Sequence, residues 1–167
     1  RKNLALHGKL TYMEEAFTFD VNLDTPAKLI NNQPVSVELA MTSSLLNMNY
    51  QGELLESGNI IKGHLALETE SVKNLLAWQK HSLTVKDNAF NQFSFNTDMM
   101  FSKNTLTLNK LDAKLDQLAF TGKSSLVLSS PPQVNLAIDL GVLDLNPYLA
   151  DVAKEAAQEV QDNSDKK

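Results

Sequence analysis

Alternation at period two runs through most of this 167-residue chain and limits what it can become to a sheet protein. Leu4, Leu6, Gly8, Leu10 and Tyr12 fall on one side of a first extended run. Phe17, Phe19, Val21 and Leu23 repeat the pattern after Met13-Glu14-Glu15, which predicts a hairpin. The pattern returns at Val35, Val37, Leu39 and Met41, then at Leu46, Met48 and Tyr50, with Pro34 and Thr42-Ser43-Ser44 as punctuation. Glu56-Ser57-Gly58-Asn59 reads as a turn into a strand that carries Ile61, Gly63, Leu65 and Leu67 on one face. Beyond it come Phe93 and Phe95, Met99 and Phe101, Leu106 and Leu108, then Leu111, Ala113 and Leu115. Leu118, Phe120 and Gly122, Leu126 and Leu128, and finally Val134, Leu136, Ile138 and Leu140 complete the series. Something on the order of ten strands results, more than a strongly twisted open sheet holds without curling or splitting, so the sheet must curve. The alternate positions carry Lys, Asn, Asp, Thr, Gln and Ser, which leaves one dry and one wet face, as antiparallel meanders permit.

Two segments break the alternation. Val72, Leu75, Leu76 and Gln79 stand at helical spacing, with Thr69 or Ser71 as N-cap, and predict a short helix near 70–79 that Leu75 and Trp78 pack onto the sheet. At Asn146-Pro147 the last strand gives way to a helical pattern, with Asn146 as N-cap, Pro147 in the first position and a thin stripe of Leu149, Val152, Ala153, Ala156 and Val160. The expected architecture is mostly β: one curved antiparallel sheet over residues 1–149, forming an open, half-barrel-like β-groove. Residues 150–167 are expected to form a C-terminal helix and a polar tail. Leu46–Glu68 and Leu108–Ser129 are loosely alike, each a strand, a turn, a glycine and an alternating strand. Gly63 and Gly122 lie inside strand patterns, where glycine signals a bulge or a close backbone approach that would bend the sheet.

Several chemistries find no support in these residues. The formal net charge is −5 and no Lys/Arg run exists, so the footprint of a nucleic-acid binder is missing. There is no cysteine, which removes disulfides, thiolate metal sites and a cysteine nucleophile. His7, His64 and His81 are far apart and match no zinc spacing, and no GxSxG, Walker A, GxGxxG or EF-hand pattern is present. Asp112 and Asp116 read as solvated charges on the wet face. No apolar run reaches the roughly 20 residues a membrane-spanning helix needs. A strand pattern that starts at Leu4, directly after Arg1-Lys2-Asn3, suggests a segment of a longer polypeptide. The expectation is a protein with no catalytic residues, no cofactor and no metal.

What remains is the apolar face, which is either the plain core of a sandwich or barrel or the wall of a groove for hydrocarbon; periodicity does not separate the two. A resemblance does. Ser71–Gln79 (SVKNLLAWQ), Thr105–Leu128 and Val134–Leu149 (VNLAIDLGVLDLNPYL) together resemble, in order and spacing, the C-terminal region of the AsmA family of Gram-negative envelope proteins. Leu143-Asp144-Leu145-Asn146-Pro147-Tyr148-Leu149 follows the family terminus nearly residue for residue, with Asn146 where Asp is commoner. Gln79-Lys80-His81 departs from the Leu-Gly that often follows the family Trp. The likeness runs from about Val35 to Leu149, and the first 32 residues match only as a generic hairpin.

The resemblance implies a non-catalytic segment of a periplasmic β-groove, held in its parent protein by an inner-membrane helix absent from this chain. It further implies traffic of phospholipid between inner and outer membrane. The partners it implies are a phospholipid or other acyl-chain lipid, the remainder of the same protein, and components of outer-membrane assembly. Phe93, Phe95, Met99, Leu106, Leu108, Leu136 and Ile138 are the expected groove lining. A second reading is an outer-membrane biogenesis scaffold that binds a protein partner through a sheet edge.

Overall fold

The computed structural model describes residues 3–81, 83 and 85–149. Nine strands form one sheet in the order of the chain, each antiparallel to its neighbours: β1 (Leu4–Tyr12), β2 (Glu15–Leu23), β3 (Val35–Thr42), β4 (Asn47–Leu55), β5 (Ile60–Thr69), β6 (Phe93–Ser102), β7 (Thr105–Leu115), β8 (Leu118–Val127) and β9 (Gln133–Leu140). Among the described residues the sheet is open, since β1 and β9 each have a single partner. Two short α-helices interrupt it among the described residues, α1 (Ala27–Ile30) and α2 (Val72–Trp78), besides a single 3-10 turn at Glu56–Gly58.

The strand count is lower than the apolar groups suggest because three pairs of groups fuse. Phe93-Phe95 and Met99-Phe101 are one strand, as are Leu106-Leu108 and Leu111-Ala113-Leu115, and Leu118-Phe120 continues to Val127. In β7 the break in phase between Leu108 and Leu111 is a bulge, with Lys110 at φ 50°, and the register shifts there against both β6 and β8. One extra residue returns Leu111 to the side on which Leu108 stood. Thr97, fully buried opposite the bulge, donates its hydroxyl to Asn109 O at 2.9 Å and satisfies a carbonyl at the break in the ladder.

Tight turns explain the meander. Met13-Glu14 and Lys103-Asn104 both have positive φ at two successive residues, the geometry whose twist matches that of the flanking strands. In the β3–β4 turn, Ser43 Oγ accepts from the amides of Leu45 and Leu46, and Glu15 reaches over from β2 to accept from the amide and hydroxyl of Ser44. Ser71 caps α2 by accepting from Asn74 N, as expected of one of its two candidate residues. The first helix was not foreseen; Thr25-Pro26 before Ala-Lys-Leu-Ile carries the helix-start signal of an early proline.

Gly52 on β4 and Gly63 on β5 face each other across the ladder. A Cβ on Gly52 would lie 2.7 Å from Gly63 Cα, and one on Gly63 would lie 2.6 Å from Gly52 Cα. Gly122 meets β9 as closely, against Ala137 O, and its added Cβ would stand 3.0 Å from Ile138 Cα. These are the close approaches expected of Gly63 and Gly122, and they curve the sheet towards the face from which the side chains are missing.

The helix expected from Pro147 onward lies outside the described residues. Asn146, Pro147 and Tyr148 form a turn in which Asn146 donates its amide groups to Asp144 Oδ1, and Tyr148 N bonds Leu145 O at 2.9 Å.

Candidate functional site

Pairing in register turns the alternation of nine strands into rows that cross the whole sheet. One row runs Leu4, Leu23, Val37, Gly52, Gly63, Met99, Leu108, Ser124 and Leu136, and every adjacent pair in it is a cross-strand partner. Another runs Gly8, Phe19, Met41, Met48, Leu67, Phe95, Ala113, Phe120 and Leu140. At roughly 4.8 Å per strand the apolar surface is about 38 Å long across the strands.

Little covers it. Phe17, Val35, Leu111, Ala113 and Leu118 are the buried apolar residues of the face, most of the others on the inner strands are half-buried, and those of the edge strands are open. On β1, Leu6 and Leu10 are 51% and 59% exposed, and on β9 Val134 and Leu136 are 66% and 60% exposed. A closed sandwich core would not leave this surface in water.

All seven expected lining residues stand on this face, on β6, β7 and β9. Phe93 pairs with Leu115, Phe95 with Ala113, Met99 with Leu108, and Leu106 with Phe101, while Leu136 and Ile138 face Ser124 and Gly122. The row pattern extends the same surface to Val21, Leu39, Leu65 and Leu67 on the other half, which the short list of seven omits. Tyr50 marks the middle of the floor, where its ring lies across the Gly52-Gly63 notch. Its occluded hydroxyl has no hydrogen-bond partner among the described residues, and burial, followed by Glu53, pushes its pKa above that of a free phenol.

Side chains close one end of the sheet. Trp78 reaches from α2 to the β1–β2 hairpin, edge-on to Tyr12 at 5.8 Å and tilted on Phe17 at 5.7 Å, and donates its indole N–H to Met13 O at 3.1 Å. Further along that end, Asp116 is not the solvated charge of a wet strand face. It sits at the β7–β8 turn, where Oδ1 accepts from the amides of Asn91 and Gln92 and Oδ2 accepts from the Tyr148 hydroxyl at 2.9 Å. Strand periodicity places Asp116 on the sheet; the positive φ of 52° at this residue takes it off. Phe90 meets Tyr148 edge-to-face at 5.2 Å, and Lys86 Nζ donates to Asn146 O, so residues 141–149 strap the end of β9 to the segment before β6. Partial burial, then Asp116 and Asp144, push the Tyr148 hydroxyl up to about 12. At the opposite end, Ser57 Oγ donates to Leu29 O and ties α1 to the β4–β5 turn.

The other face is mostly polar, with Ile60 and Met100 among its few large apolar side chains. His64 and Lys110 flank Asp98, at 3.2 Å and 2.9 Å, and hold its carboxyl below the usual range, with Lys110 the larger cause. His7 pairs with Asp20 at 2.6 Å. These pairs are solvent-exposed, and among the described residues no three His, Asp or Glu side chains are gathered as a metal ion would need. A cleft of about 590 Å³ lies by the β3–β4 turn between Ser44, Asn47, Glu68, Glu70 and Lys114. Its lining is mixed: Asn47, Glu68, Ser94 and Lys114 belong to the polar face, and Phe93 of the apolar face borders it at the same end of the sheet.

The fold and its face define an open antiparallel β-sheet with one continuous, largely uncovered apolar surface. No family model, curated protein or solved structure matches the chain.

Proposed function

We propose that this chain is a non-catalytic β-groove segment that binds acyl chains and supports phospholipid movement between the two membranes of a Gram-negative envelope. The observation that carries the reading is the apolar face: nine strands wide, half-open at its centre and open at both margins. An acyl chain that leaves a bilayer gives up an environment worth about 0.8 kcal/mol per CH₂. A strip of weak and similar contacts restores that environment at every position along its length while the headgroup stays in water. Lipid then slides with little net change in free energy, whereas a tight pocket would trap it. The resemblance of the Trp78 helix, the β7–β8 region and the Leu143–Leu149 terminus to the AsmA family supports the same reading. It adds the proposed setting, a periplasmic domain whose parent is anchored in the inner membrane. A scaffold that takes a partner strand is the second reading, favoured by the unpaired sheet edges.

The test is native mass spectrometry with lipid extraction on protein exported to a Gram-negative periplasm. Phospholipid adducts are expected, and Phe95→Asp or Leu108→Asp should abolish them while the circular dichroism of the sheet is retained. Both side chains are half-buried on the apolar face, so the new carboxylate meets the lipid and not a sealed core. A lipid-free mass for folded wild-type protein overturns the groove and leaves the scaffold.

A further inference from the structure

The two margins of the sheet are not equivalent. β1 carries His7, Gly8 and Lys9, of which lysine is a common means of discouraging strand addition. β9 (QVNLAIDL) has no Pro, Gly or Lys, a single charge at Asp139, and all of its residues exposed. Its backbone orientation follows from its inner partner. Ala137 O lies against Gly122, so Ala137, opposite Lys123, turns its N–H and C=O towards β8. Inward and outward residues alternate along an antiparallel strand. Val134, Leu136, Ile138 and Leu140 therefore aim their backbone groups away from the sheet, and their side chains lie on the apolar face.

We propose that β9 pairs antiparallel with β9 of a second copy of this chain about a two-fold axis through Ala137. In this register Leu136 faces the partner's Ile138 and Val134 faces the partner's Leu140, so every outward-pointing residue of β9 meets another. Asn135 faces the partner's Asp139, and the one charge of each strand never opposes its twin. An axis at Leu136 sets Leu140 against the partner's Pro132, which has no N–H. An axis at Ile138 carries Val134 past the end of the partner strand at Leu140. The axis stands perpendicular to the sheet, so both apolar faces point the same way and two nine-stranded sheets join into one surface. The pairing is independent of cargo and does not rest on the lipid reading.

The chain has no cysteine, which makes single-cysteine cross-linking clean. At the axis the two Ala137 residues form a non-hydrogen-bonded pair with Cα atoms about 4.5 Å apart, within the span that a disulfide bridges. Ala137→Cys in the full chain should form a covalent dimer under mild oxidation, whereas Asn135→Cys, which faces Asp139, should not. Adding Leu136→Pro to Ala137→Cys removes an outward N–H and no bond to β8, and the cross-link should be lost with the sheet spectrum unchanged. Ile138→Pro serves if Leu136→Pro unfolds. No cross-link at Ala137→Cys, equal cross-linking at Asn135→Cys, or a cross-link that survives proline in folded protein each overturns the proposal.

Discussion

Tyr148 shows how one hydroxyl can hold two distant segments. Its O–H donates to Asp116, whose other oxygen already anchors the Asn91 and Gln92 amides, so the strap and the approach to β6 meet at a single carboxylate. The phenol pKa is raised to about 12 in the fold, so the neutral form is favoured there. The stabilisation is fully present below the free phenol value near 10 and is lost as pH rises through about 12. Thermal melts across that alkaline window should therefore fall more steeply for wild type than for Tyr148→Phe. The variant should also be about 1 kcal/mol less stable at neutral pH, from the lost hydrogen bond. Parallel alkaline losses in the two proteins would show that the strap is held by something else.

At the scale of elements, α2 illustrates what a sequence does and does not disclose. Its helical spacing, its Ser71 cap and the packing of Trp78 onto the sheet are readable from residue order, because capping and periodicity are local. That Trp78 crosses from the strand after which α2 starts to the first hairpin is not readable, because contact with Tyr12 and Phe17 depends on how far the sheet curls. The strands divide in the same way. Every apolar face was legible, yet the bulge at Lys110 hid the unity of β7, since a one-residue insertion looks like the end of one strand and the start of another. The face on which Phe93, Phe95, Met99, Leu106, Leu108, Leu136 and Ile138 stand followed from alternation, whereas the role of Asp116 did not, since no periodicity encodes a turn carboxylate that collects three donors. Trp78→Ala should lower stability by about 3 kcal/mol through lost ring contacts and the freed Met13 carbonyl, and Trp78→Phe by less. Urea midpoints measure both, and a cost within error for Trp78→Ala would mean that α2 does not dock.

For the whole molecule, curvature is set by absence of side chains as much as by their presence. Gly63→Ala would place a methyl 2.6 Å from Gly52 Cα, against backbone that cannot step aside as a side-chain tip can. We expect a loss of about 2 kcal/mol, read as a lower urea midpoint, and weaker lipid capture as the sheet flattens. An unchanged midpoint would place the source of the curl outside the glycine notch.

The order β1 to β9 without a single crossover has a consequence for assembly. Each strand needs only the strand made just before it, so the sheet can grow by zippering as the chain becomes available, with few long loops to close on the way. Lengthening such a molecule requires no new topology: one inserted hairpin adds two strands and about 10 Å of apolar surface while all other pairings keep their register.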